Sequence, residues 1–189
     1  MRSSRLMNQR WWWRQPPALS EPLYSWLTER QSLTDRLRSI CEEFHVVVHQ
    51  SRFDKVCPDE TFLLVGDRHQ RATALVREVS LVCDGRPLVF GHSILMTRKP
   101  GLLAQSFKRM GDRSLGSMLF ANPDIWRGVL YFKRIDRRHV LYAKSVVALG
   151  EEPPPFFWAR RSVFSLRSEC VCVTEVFSSQ LATARSFTL

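Results

Sequence analysis

The sequence predicts an α+β fold in one domain, built on strands that turn back on themselves. Three observations carry this. Ala74 to Met96, ALVREVSLVCDGRPLVFGHSILM, places two apolar runs around Asp84-Gly85, a pair that favours tight hairpin turns. Phe156 to Leu166 and Glu169 to Phe177 repeat the arrangement around Arg167-Ser168. The length of 189 residues, 44% of them hydrophobic, suits a single domain over 1–189 with a real core.

Taken in order, residues 1–19 read as an irregular arm whose Trp11, Trp12 and Trp13 either pack across the domain surface, the favoured reading, or mark a contact with a partner or membrane interface. A short helix starts at Ser20, which can cap it, with Pro22 in its first turn and Leu23, Trp26 and Leu27 as its apolar stripe. Ser32 opens a second helix, with Asp35 three residues on and Leu33, Leu37 and Ile40 on its apolar side. Arg36 and Arg38 are expected in solvent. Phe44 to Phe53 alternates as a strand, and Pro58 to Gly66 is a connection. The hairpin arms follow, near 71–83 and 87–97. Leu102 to Met110 has a helical stripe of Leu102, Leu103, Phe107 and Met110. Residues 114–120 make a helical turn or tight loop in which Gly116 permits close backbone approach. Trp126 to Phe132 and His139 to Val147 are expected to be strands. Glu151-Glu152-Pro153-Pro154-Pro155 is a stiff connector before the final strand pair, and 178–189 is a loose polar tail.

The formal net charge of +10 attracts anions, but the basic residues are dispersed and mostly arginine. Neither a basic block, a zinc-finger spacing nor an RNP-like strand is present, so nucleic acid is not an expected partner. No apolar run is long enough to cross a bilayer, and the N-terminus lacks the apolar core of a secretory signal. A cytoplasmic location follows as the expectation, with at most peripheral membrane association. The five cysteines are odd in number and lack CxxC spacing, so they are expected as free thiols; no metal site is expected from them or from the scattered histidines.

Two charges stand out. By alternation Leu75, Arg77, Val79 and Leu81 share one strand face, which sets a guanidinium among aliphatic neighbours. Val171, Val173, Glu175 and Phe177 do the same for a carboxylate. Buried charge needs a partner. Arg77 and Glu175 could form one structural ion pair, or stand as two poles of a ligand pocket; pattern leaves both open.

The stretches PLYSWLTERQSLTDRL, REVSLVCDGRPLVFGHSIL, SLGSMLF, WARRSVFSL and VTEVF, in this order and spacing from about Pro22 to Phe177, resemble the chorismate pyruvate-lyase family. The resemblance implies a six-stranded antiparallel sheet with helical flaps covering a buried pocket. It implies elimination of pyruvate from chorismate to give 4-hydroxybenzoate, toward ubiquinone, by a monomer without metal or organic cofactor. It further implies that Arg77 and the backbone N–H of Leu33 hold the ring carboxylate. Glu175 and the N–H of Leu115 would hold the hydroxyl end, and Arg160 or Arg161 would support the site electrostatically. The family member compared has methionine where Leu33 stands, a change that a main-chain contact tolerates. Effector domains of some transcription regulators resemble the same fold, which leaves a non-catalytic ligand sensor as one rival reading; a basic nucleic-acid or membrane-surface protein using Trp11 to Trp13 and the dispersed arginines is the other.

Overall fold

The computed structural model describes residues 12–60, 73–96 and 101–183. Trp11, the 61–66 connection and the 184–189 end of the tail lie outside these residues. Seven strands among them form one antiparallel sheet: β1 Phe44–Lys55, β2 Thr73–Cys83, β3 Arg86–Met96, β4 Trp126–Arg127, β5 Tyr131–Asp136, β6 Phe156–Leu166 and β7 Glu169–Phe177. Their order is β1-β2-β3-β7-β6-β4, with β5 also paired to β6. The helices are α1 Leu23–Thr28, α2 Leu33–Ile40, α3 Leu102–Lys108, α4 Leu115–Ala121, α5 Val140–Leu149 and α6 Gln180–Thr183. The hairpin of the sequence is β2–β3. Asp84 and Gly85 take positive φ of 50° and 74°, the left-handed pair that a two-residue turn between right-twisted strands requires.

The register sorts the strands into two faces, because residues opposite one another in an antiparallel ladder point the same way. One face carries Arg77, Val79, Gly91, Ser93, Val173, Glu175, Arg160 and Ser162. It is covered at one end by α1 and α2, which pack Leu23, Trp26, Leu27, Leu33 and Leu37 with Val89, Trp158 and Phe177. At the other end α3 and α4 pack Leu103, Phe107, Leu115 and Leu119 with Leu75, Leu95, Phe164 and Val171. The opposite face carries Glu78, His92, Thr174 and Arg161 between two further apolar clusters. On that side α5 sets Leu141, Tyr142 and Leu149 against Phe90, Phe157 and Val176. Each face is thus two apolar blocks with a polar band between them.

Several expectations need correction. His139 to Val147 is α5, not a strand. His139 accepts from the Leu141 N–H at Nδ1, Gly150 ends the helix at φ 62°, and Leu141, Tyr142, Ser145, Ala148 and Leu149 are buried at helical spacing. Trp126 to Phe132 divides into β4 and β5, since Gly128 turns its N–H to the Val163 carbonyl. Ser20 does not cap α1 with its side chain; Pro22 holds the cap position and only the Ser20 carbonyl engages, through the Tyr24 N–H. Arg36 is not a solvent group but stacks on the buried Trp26 ring, 3.9 Å from its centroid, and donates to the Ser25 carbonyl. Cys41 and Cys83 are not free thiols but form a disulfide across 42 residues, because α2 ends beside the end of β2 with the Cα atoms 5.4 Å apart. Cys57, Cys170 and Cys172 are free. The start of the tail is docked: Ser178 donates its N–H to the Leu88 carbonyl, Glu151 accepts from Ser178 and Ser179, and Leu181 is buried. In the arm, Trp12 is buried and donates to Asp59, while Trp13 packs on Trp158 and pairs with Phe132.

Candidate active site

Arg77 sits in the middle of β2 and is 3% exposed. Its row across the sheet runs Arg77–Ser93–Val173–Ser162. Nη2 donates to the Arg113 carbonyl at 3.0 Å, while Nε is buried without a hydrogen-bond partner. No carboxylate lies within ion-pair distance of it among the described residues; burial pulls its pKa down, partly countered by the charge of Asp112. A buried guanidinium with an unspent donor is an unstable arrangement unless an acceptor arrives.

Glu175 lies in the neighbouring row, Val79–Gly91–Glu175–Arg160. It does not pair with Arg77. By ordinary strand spacings the two Cα atoms stand roughly 12 Å apart, leaving room for a ligand between the side chains. Gly91 keeps the row low: a Cβ there would press on Val79 Cγ2 at 3.2 Å. Glu175 instead accepts a short hydrogen bond from Nε of Arg160. Arg160 is 1% exposed, and its Nη1 donates to the Trp26 and Glu29 carbonyls at 3.2 and 2.6 Å. The guanidinium thereby satisfies carbonyls at the C-terminal end of α1 and fixes the carboxylate in place.

The helix starts supply the main-chain donors. Ser32 and Ser114 cap α2 and α4 by accepting the N–H groups of Asp35 and Ser117 at 3.2 and 3.1 Å. These caps serve the third N–H of each helix and leave the first, on Leu33 and Leu115, to other acceptors. The two starts touch: a Cβ on Gly116 would lie 3.0 Å from Thr34 Oγ1, and Ser117 donates to Asp35 at 3.2 Å. Both N–H groups therefore belong to one junction above the sheet. Arg113, which holds Arg77, directly precedes the Ser114 cap. On the far side, Glu169 at the start of β7 accepts from the N–H groups of Gly101, Leu103 and Ala104, which anchors α3 to the sheet.

Arg161 is not part of this site. Adjacent strand residues point to opposite faces, so it leaves Arg160 behind and bonds Thr174, the Asp59 carbonyl and Glu60. There Glu78, His92 and Glu60 form a chain, with His92 Nδ1 2.8 Å from Glu78 and Nε2 3.3 Å from Glu60. Lys144 joins at Glu78, and Lys133 and His139 join at Asp59. Burial opposes charge throughout; it wins at Lys133, whose pKa falls, but the partners prevail at the carboxylates and His92. The hydrogen bonds and charges of His92 hold Glu60 and Glu78 below the usual carboxylate range, and those two carboxylates with Cys57 hold His92 well above its ordinary value. Cys57, Glu60 and His92 bring potential metal donors within 4.8 Å. His92 spends Nδ1 on Glu78 and Nε2 on Glu60, and Arg161 also bonds Glu60, so both acids have partners within the protein.

The chorismate lyase family model matches residues 7–187. The chain belongs to the chorismate lyase family. It is 40% identical over 164 residues to a probable chorismate pyruvate-lyase of Nitrosomonas europaea, covering 86% of this chain and 90% of that one. It is 40% identical over 173 residues to another from Dechloromonas aromatica, covering 91% and 96%. Among solved structures, the C-terminal domain of the histidine utilization repressor from Pseudomonas syringae pv. tomato superposes with a TM-score of 0.52 at 8% identity, covering 73% of this chain and 93% of that chain. That likeness concerns the fold alone.

This lyase-family fold brings Arg77, Glu175, Arg160, Leu33 and Leu115 to one face of the sheet, and it removes Arg161 from them. Sequence reading missed Arg127, which β4 sets on the same face opposite Phe164 and whose Nε donates to Ser162 at 3.2 Å. Its run, Trp126 to Phe132, had apolar neighbours enough to raise the question that Arg77 raised. It also missed the Glu78–His92–Glu60 chain, although the Arg160-Arg161 pair must by alternation split between two faces.

Proposed function

We propose that this chain eliminates pyruvate from chorismate and leaves 4-hydroxybenzoate, with the Arg77–Glu175 face as the reaction site. The carrying observation is the buried Arg77, with its Nε unpaired and no carboxylate within ion-pair distance among the described residues, on a chain that belongs to the chorismate lyase family. Arg77 grips the ring carboxylate in a directed way that a lysine could not, and the Leu33 N–H assists. Glu175 orients the hydroxyl at ring carbon 4, with the Leu115 N–H beside it. The Arg113 link argues that Leu115 also serves the Arg77 side, since both helix starts share one junction.

In the reaction the ether bond at ring carbon 3 breaks, and the hydrogen at carbon 4 moves to the methylene carbon of the enolpyruvyl group. Pyruvate leaves with a new methyl group and the ring becomes aromatic. Aromatisation supplies the driving force. The residues need only hold a compact conformer and exclude water, and the reaction calls for no organic cofactor. Helices α2 and α4 then act as the gate through which product leaves. The product would feed ubiquinone synthesis, from a monomer in the cytoplasm with at most peripheral membrane association. No helix among the described residues is long and apolar enough to cross a membrane.

Incubating the purified protein with chorismate is expected to release 4-hydroxybenzoate and pyruvate in equal amounts. Tight 4-hydroxybenzoate binding with no product at high protein concentration would overturn the lyase reading in favour of a sensor.

A further inference from the structure

The row that begins at Arg77 on β2 ends at Ser162 on β6, and Arg127 stands over its far end. Nε of Arg127 donates to Ser162 Oγ at 3.2 Å, and Nη1 donates to the Arg30 carbonyl at 2.7 Å. Its guanidinium carbon lies 5.3 and 5.2 Å from the ring centroids of Phe120 and Phe164. The side chain is half-buried between α4, the α1–α2 connection and β6. No carboxylate lies within ion-pair distance among the described residues, while Arg160 and Arg30 repel it and Glu175 and Glu29 attract it from further off. Burial, then the neighbouring Arg160, draws its pKa down to about 10. Arg77 and Arg127 are therefore alike: two guanidiniums on one face, each fixed to a loop carbonyl, each short of an anionic partner. Three strand spacings, roughly 14 Å, separate Arg77 from Ser162, the residue to which Arg127 Nε donates.

The substrate has two carboxylates and the aromatic product has one. We propose that Arg127 is the partner of the second, the carboxylate of the enolpyruvyl side chain, and so completes a two-arginine clamp that fits chorismate but only half engages 4-hydroxybenzoate. The inference rests on the lyase reading. Holding both carboxylates fixes the side chain against the ring, which brings the methylene carbon to the carbon-4 hydrogen. When the ether bond breaks, the Arg127 half of the grip departs with pyruvate, and 4-hydroxybenzoate keeps only Arg77, the main-chain donors and Glu175. Ser162 and the Arg30 carbonyl aim the guanidinium, so its fork is set before substrate enters.

The test compares substrate and product on the same variants. Wild-type turnover of chorismate is measured first, and its absence would condemn the lyase reading rather than this inference. With turnover established, Arg127→Met is expected to lower kcat/KM for chorismate at least 30-fold while the Kd for 4-hydroxybenzoate stays within about threefold of the parent. Arg127→Lys, which keeps charge and most of the volume, is expected to recover part of kcat/KM, again with 4-hydroxybenzoate affinity unchanged. Arg77→Met, in contrast, is expected to weaken both. An Arg127 variant that is folded and loses 4-hydroxybenzoate affinity in step with kcat/KM, or one that loses neither, would overturn the assignment. If Arg127→Met does not fold, the same comparison on Arg127→Lys decides.

Discussion

The two faces of one sheet treat buried charge in opposite ways. On the face covered by α5, the acids and bases are matched: Glu78 and Glu60 with His92, Asp59 with Arg161, Lys133 and His139. On the face covered by α1 to α4, Arg160 is matched by Glu175, but Arg77 and Arg127 have no carboxylate within ion-pair distance among the described residues. The same strands supply both arrangements, one residue out of step. A saturated network and an unsaturated one therefore serve different ends. The first orders the fold, at a desolvation cost its partners offset. On the proposed reading, the second holds cations ready for an anion and is relieved when one binds.

The comparison breaks most visibly at Arg161. Arg161→Met should remove the buried cation that Asp59 and Glu60 share, leaving Asp59 to Lys133 and His139 and Glu60 to His92, and cost about 3–5 kcal/mol, roughly 6–20 °C in Tm for a domain of this size. Turnover per folded molecule should stay close to the parent value. A denaturation series with parallel assays checks both, and a stable but inactive variant would move Arg161 back to the site. Glu175→Gln should act the other way round. Losing the charged acceptor costs about 1.5–3 kcal/mol of transition-state binding, or about 10- to 150-fold in kcat/KM, with a smaller change in stability because Arg160 keeps its carbonyl acceptors.

The saturated face should also write itself into the pH dependence of stability. Asp59, Glu60 and Glu78 titrate lower folded than unfolded, so their contribution is complete above the usual carboxylate range near pH 4 and fades as pH falls through the lowered values. His92 titrates higher folded than unfolded, so its contribution is complete below about pH 6.5 and fades as pH rises through its raised value. His92→Gln should flatten the alkaline limb of a Tm-against-pH curve; an unchanged limb would deny His92 its charge. The smallest expected effect is at the junction of α2 and α4. Gly116→Ala should press on Thr34 and raise KM several-fold, about 1 kcal/mol, with Thr34→Ala in the same chain restoring it.

Much of this fold was legible in the sequence. Asp84-Gly85 dictated the hairpin, Ser32 capped α2 through Asp35, and alternation alone marked Arg77 and Glu175 as charges on apolar faces. What was hidden depended on contacts distant in sequence. The β-rich run at 139–149 became a helix because His139 and Gly150 bound it and the sheet offered α5 an apolar bed. The Cys41–Cys83 bond needed α2 to dock before its partners could be known. The division of Arg160 from Arg161 was written in the strand period, but only the partners on each face show which one belongs with Glu175. Arg127 needed the two-residue β4 to be seen pairing with β6.

The central claim is that the unpaired charge of Arg77 serves a ligand rather than the fold. A thermal denaturation of Arg77→Met, run with and without saturating 4-hydroxybenzoate, tests it in one experiment. The account predicts an unliganded Tm equal to or above that of the parent, and no upward shift when 4-hydroxybenzoate is added. A Tm lowered as far as in Arg161→Met, with the ligand-induced shift intact, would contradict it.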